Sequence, residues 1–158
     1  MELTSLFSPQ SIALIGASAN PQKLGFQILA KLLQSHLPIY PINPHQSKIL
    51  NTQVYPSIID VPGPVDLAIV VVPAPIVNMV VQQAAVKKVK SIVVISAGFS
   101  ESGPKGNKLE TELKTICRQH RINLLGPNVL GFANPGKKLD VTFSKTPPQA
   151  GNIGLISQ

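Results

Sequence analysis

Short apolar runs alternate along the chain with stretches whose apolar residues recur every three or four positions. The runs at residues 11–17, 39–42, 66–72, 91–97 and 123–125 have the length of strands, and a further one covers 152–157. Nearly continuous hydrophobicity over so few residues suits a strand covered on both faces, as in a parallel sheet. Between the first two runs, Leu24, Ile28, Leu29, Leu32 and Leu33 keep helical spacing. Residues 75–88 place Val77, Val80, Val81 and Ala84 on one face, with Lys87 and Lys88 where a helix C-terminus favours cations. Leu109, Leu113, Ile116 and Cys117 make a third stripe, in which the cysteine reads as a core residue. Strand–helix alternation with right-handed crossovers predicts an α/β fold: a Rossmann-like, doubly wound, mainly parallel sheet with helices on both faces.

A chain of 158 residues suffices for one domain with a real core. Residues 1–130 read as that domain. Residues 131–150, with Pro135, Pro147 and Pro148 among several Gly and Lys, read as a linker or long loop. The closing "GNIGLISQ", 151–158, reads as the first strand of a truncated second domain. The single cysteine excludes an internal disulfide and fits a reducing compartment. The start "MELTS" lacks the basic and apolar regions of a signal peptide, and no run approaches the ~20 apolar residues of a membrane span. A cytoplasmic protein with no membrane partner is expected. The formal charge of +7 invites an anionic partner, but the basic residues are scattered and Trp is absent, so nucleic acid is disfavoured. Metal-ligand spacing is missing, and no metal is expected. Asp60 and Asp66 flank a proline-rich turn rather than forming an acid–base pair, and no catalytic residue is assigned.

In an open parallel sheet, ligands bind outside the carboxyl ends of the strands. Five small, Gly- or Pro-bearing segments fall there: Gly16-Ala17-Ser18, Asn43-Pro44-His45, Val72-Pro73-Ala74, Ser96-Ala97-Gly98 and Gly126-Pro127-Asn128. Each alone is a turn; together they suggest one groove. The first lies in "SIALIGASANPQKLG", a strand, a turn and then a helix that Pro21 would open. The free N–H groups of such a helix end favour an anion. A dinucleotide is disfavoured, because Ser18 stands where the second glycine belongs and Asn43 where an acid would hold the ribose. Ser18, Lys23, His45 and Lys48 suit phosphates instead.

Taken in order, "LFSPQSIALIGAS", "YPINP", "PVDLAIVVVPA", "VISAGFSE", "LLGPNVLGF" and "GNIGLISQ" resemble the N-terminal CoA-binding domain of NDP-forming acyl-CoA synthetases, relatives of the succinyl-CoA synthetase alpha subunit. The resemblance implies that coenzyme A is the ligand. By position, Gly16, Ala17 and Ser18 would offer backbone N–H groups and a hydroxyl to its phosphates, with Lys23 close by. Asn43, Pro44 and His45 would lie near the nucleotide end. Val72, Pro73, Ala74, Ser96, Ala97 and Gly98 would line the pantetheine path, and Pro127 and Asn128 would approach the thiol. His45 and Val129 replace the Lys and Cys that many relatives carry. The partners implied are a downstream phosphohistidine domain and an ATP-grasp module or subunit, and the chain alone is expected to be inactive. Two other functions fit less well: a CoA-binding module, free-standing or fused to a protein acetyltransferase, and an NAD-binding redox domain.

Overall fold

The computed structural model describes residues 3–144, 146 and 148–156. In chain order its elements are α1 (Thr4–Phe7), β1 (Ile12–Ile15), α2 (Leu24–Leu32), β2 (Ile39–Ile42), the short strands β3 (Lys48–Ile49) and β4 (Thr52–Gln53), β5 (Leu67–Val70), α3 (Ala74–Val86), β6 (Ser91–Val94), α4 (Pro104–Gln119), β7 (Asn123–Leu125), β8 (Ala133–Asn134) and β9 (Leu139–Asp140). The five longer strands form one parallel sheet in the order β2-β1-β5-β6-β7. Strand order reverses around β1, because the chain goes to β2 on one side and then crosses to β5 on the other. A crevice opens at such a reversal, outside the carboxyl ends of the strands.

Alternate residues of each strand face opposite layers. Ala13, Ile15, Ala68, Val70, Ile92 and Val94 pack with Val77, Val81 and Ala84 of α3 and Leu113, Ile116 and Cys117 of α4. Ile12, Leu14, Leu67, Ile69 and Val93 pack with Ile28, Leu29 and Leu32 of α2. Both layers are dry, which is why these strands read as continuous apolar runs. Cys117 lies in the first layer, and burial pushes its thiol up to about 11.

The sequence expectations need correction at two places. Pro21 does not open α2: Lys23 N–H donates to the Asn20 carbonyl at 3.0 Å, so a tight turn intervenes and the helix starts at Leu24. The stretch read as a linker or long loop is packed into the fold over its first half. β8 and β9 pair antiparallel, and Leu139 and Val141 are buried in the layer of α2. The physical reason is coverage, since two long helices shield one face and the nine-residue α2 cannot shield the other. Lys31 Nζ secures the segment by donating to Asp140 Oδ2 at 2.9 Å, the Thr142 carbonyl at 3.0 Å and the Ser144 carbonyl at 2.6 Å. Burial alone would raise the Asp140 carboxyl, but hydrogen bonds from Thr142 and Lys31 hold it below the usual range. The run at 152–157, expected to open a second domain, stands outside this sheet: its described residues, 152–156, form no strand and leave Ile153, Leu155 and Ile156 almost fully exposed. A strand without a neighbour has no ladder to satisfy its backbone. Pro147, Ser157 and Gln158 lie outside the described residues.

Candidate ligand-binding groove

The turn after β1 depends on two glycines. Gly16 has φ +97°, and a Cβ there would stand 2.8 Å from the Val71 carbonyl oxygen. Gly25, in the first turn of α2, lies so close that its Cβ would be 2.0 Å from the Gly16 carbonyl oxygen. One glycine turns the chain and the other lets the helix end approach the strand, which are two of the glycine roles in nucleotide-binding turns. Gly25 was within view in the sequence, nine positions after Gly16, but the spacing matches no short fingerprint.

The donors expected of this turn are mostly engaged. Gly16 N–H and Ala17 N–H both donate to the Ile42 carbonyl, at 3.1 and 3.2 Å. They hold the turn against β2 and are not free for a ligand, which corrects the expectation for those two residues. Ser18 Oγ accepts from Asn20 N–H at 3.1 Å, and its own hydrogen remains available. Among the described residues, Ser18 N–H has no intramolecular partner.

Asn43, at the end of β2, folds back rather than out. Its Nδ2 donates to the Ala17 carbonyl at 2.7 Å and its Oδ1 accepts from His45 N–H at 2.8 Å. Pro44 and His45 are exposed beside it, and Lys23 stands exposed at the N-cap of α2. Lys23, His45 and Lys48 form no ion pair among the described residues, so all three can face an anion. Gln46, which the sequence reading passed over, reaches the same turn and accepts from Ala19 N–H at 3.2 Å.

The other strand ends lie along the same edge of the sheet. Val72 is half-buried, Pro73 caps α3 and Ala74 begins it. Gly98, at φ +106°, abuts this helix end, where its Cβ would stand 3.0 Å from that of Ala74. Gly98 N–H and Phe99 N–H are taken by Glu101 Oε1, at 2.6 and 3.2 Å, which holds the Glu101 carboxyl below its usual range. Gly98 therefore shapes the wall and is not an open donor. Ala97 is exposed, and the Ser96 carbonyl accepts from Asn128 N–H at 3.0 Å, tying the ends of β6 and β7 together. Pro127 follows a cis peptide and Asn128 sits at φ 55°, a conformation asparagine tolerates. Among the described residues no three His, Cys, Asp or Glu side chains gather as a metal set, and no helix is long and apolar enough to cross a membrane.

Sheet order, helix layers and glycine turns define a doubly wound, Rossmann-like α/β domain. Within that class the chain belongs to the CoA binding domain family, whose model matches residues 10–135. It is 43% identical over 160 residues to acetate–CoA ligase [ADP-forming] II of Archaeoglobus fulgidus, covering 99% of this chain and 24% of that one. It is 39% identical to the alpha subunit of acetate–CoA ligase [ADP-forming] I of Pyrococcus furiosus, covering 36% of that subunit. A solved structure of acetyl-coenzyme A synthetase 1 from Candidatus Korarchaeum cryptofilum, in complex with phosphate and ADP, superposes with a TM-score of 0.91 at 37% identity. That match covers 96% of this chain and 32% of the other. The chain thus spans about a quarter to a third of the length of these relatives.

Proposed function

We propose that the chain is the CoA-binding domain of an ADP-forming acyl-CoA ligase, which couples acyl-CoA, ADP and phosphate to carboxylate, ATP and free CoA. The observation that carries this reading is the match over nearly the whole chain to proteins named as such ligases. Ser18, Lys23 and His45 would receive the CoA phosphates, Ser18 through its N–H and hydroxyl and the other two through side-chain charge or hydrogen bonds. Val72, Pro73, Ala74, Ser96, Ala97 and Gly98 would wall the pantetheine arm, and Pro127 and Asn128 would stand at the thiol. CoA suits the absence of an acid at Asn43, because no ribose-diol clamp is called for there. The work of this chain is to bind and orient CoA. Phosphate transfer belongs to a phosphohistidine domain and an ATP-grasp module or subunit beyond these residues. A cytoplasmic setting accords with CoA as ligand.

The second reading, a free-standing CoA-binding protein, is favoured by one likeness. A conserved hypothetical protein of Pyrococcus furiosus is 91% covered by this chain, at a TM-score of 0.62 and 28% identity. Calorimetric titration of the chain with CoA, acetyl-CoA and NAD tests the shared core of both readings. CoA and acetyl-CoA should bind in preference to NAD, and tighter binding of NAD would overturn the assignment.

A further inference from the structure

The turn between β1 and α2 is gripped from the end of β2 at two points, one on each side of Ser18. Asn43 Nδ2 donates to the Ala17 carbonyl at 2.7 Å, and Gln46 Oε1 accepts from Ala19 N–H at 3.2 Å. The Ala17 carbonyl belongs to the peptide unit joining residues 17 and 18, and Ala19 N–H to the unit joining 18 and 19. A trans peptide is planar, with its carbonyl and N–H pointing in opposite directions. Holding the Ala17 carbonyl toward Asn43 therefore turns Ser18 N–H away from Asn43. Holding Ala19 N–H stops the next unit from swinging to undo this.

Asn43 is itself constrained. Its backbone N–H donates to the Tyr55 carbonyl at 2.9 Å, and its Oδ1 accepts from His45 N–H. The amide can face only one way, because one arm must accept from His45 while the other donates to Ala17. Gly16 N–H and Ala17 N–H are spent on the Ile42 carbonyl. The grip thus orients the one backbone donor of residues 16–18 that lacks an intramolecular partner among the described residues.

We propose that Asn43 and Gln46 are positioning residues: they aim Ser18 N–H at a phosphate of the ligand, and act through that peptide rather than by touching the ligand themselves. This rests on the CoA reading above. It reassigns Asn43 from ligand contact to brace and gives Gln46 a role. A donor already aimed needs no ordering when the phosphate arrives, so binding is tighter than at a freely turning peptide.

The test uses the neutral variants Asn43→Ala and Gln46→Ala and the double variant, so that no new charge confuses the result. Titrations with CoA are set beside titrations with pantetheine, which has the arm but no phosphate. A hydrogen bond to a charged group corresponds to roughly tenfold or more in affinity, so Asn43→Ala should weaken CoA binding about tenfold and Gln46→Ala somewhat less. Pantetheine affinity should stay unchanged. The double variant should lose less than the product of the two effects, because both act on one donor. The amide resonance of Ser18 should shift on adding CoA to the wild type and not to Asn43→Ala. Wild-type CoA affinity in both variants would overturn the proposal, as would equal losses of CoA and pantetheine, which would mark the grip as structural only. Should Asn43→Ala fail to fold, Gln46→Ala decides by the same measurements. A wild-type chain that does not bind CoA would instead sink the functional reading, and this proposal with it.

Discussion

The two ends of the parallel sheet handle polarity differently. At the amino end, one ion pair and several hydroxyls join neighbouring strands, and Lys88 and Arg121 form no ion pair among the described residues. Asp66 pairs with Lys90 at 2.8 Å and accepts from Gln10 N–H at 2.9 Å. Ser11 Oγ donates to the Pro64 carbonyl while accepting from Asp66 N–H, and Asn123 Nδ2 donates to Ser91 Oγ. A cleft of about 720 Å³ lies there, lined in part by Asp66, Lys88, Lys90 and Arg121. At the carboxyl end the turn after β1 is braced by neutral groups, Asn43, Gln46 and the Ile42 carbonyl, while the Glu101 carboxylate holds Gly98 N–H and Phe99 N–H. Lys23, His45 and Lys48 are left without ion pairs among the described residues. Charges neutralised within the fold hold strands together, whereas charges left unpaired beside an oriented donor can meet a ligand.

The sharpest way to break this contrast is Gly25→Ala. The new Cβ would need the space of the Gly16 carbonyl, 2.0 Å away, so helix and turn must separate. Overpacking of this kind costs roughly 1–3 kcal/mol, occasionally more, and here the displaced atoms are backbone of the binding turn. Urea unfolding should show a loss at the upper end of that range, with CoA affinity falling in parallel. A variant as stable as the wild type would show that the close approach is not required.

Asp66→Asn probes the other end with a smaller effect. Burial pushes the Asp66 carboxyl up, but the hydrogen bond from Lys90, the Gln10 N–H and the Lys90 charge together hold it below its ordinary 3.8. A carboxyl depressed in the folded state adds stability above that ordinary value and loses it as pH falls through the folded one. Lys90 is largely exposed, so the contribution at neutral pH is about 1 kcal/mol or less. The wild-type advantage over Asp66→Asn should be full at pH 7 and shrink only below about pH 4. CoA affinity at pH 7 should be untouched. A matching loss of CoA affinity would dissolve the distinction between the two ends.

The smallest change is expected from removing residues 152–158. Its described part, 152–156, is exposed and forms no strand, so thermal stability and CoA affinity should both stay as they are. Unfolding of the shortened chain would place the segment in the core. The same cut made after residue 138 removes the buried Leu139 and Val141 as well as the Lys31 partners, and serves as the destabilised control.

The three central strands, β1, β5 and β6, were legible because each is buried throughout, which leaves an unbroken apolar run, whereas the edge strands β2 and β7 are only part-buried. The three long helices were legible through their single buried stripes. The hairpin β8–β9 was not, because two-residue strands have no periodicity and Pro135, Lys137 and Lys138 disguise the one buried anchor, Leu139. That the five strand-end turns share the carboxyl edge of the sheet followed from the crossover rule. The work of their donors did not, since the engagement of Gly16 and Ala17 by Ile42, and of Gly98 by Glu101, joins atoms that local sequence signals do not pair.

The layers and the class of fold were therefore readable in the sequence, and so was the sharing of one sheet edge by the five turns. Those follow from local burial pattern and from chirality, which are written into every short segment. Only the tertiary structure decided which N–H remained open, that Asn43 faces inward and that Gln46 joins it. Such choices depend on which carbonyl another part of the chain brings within 3 Å or so, and that distance exists only once the whole sheet has formed.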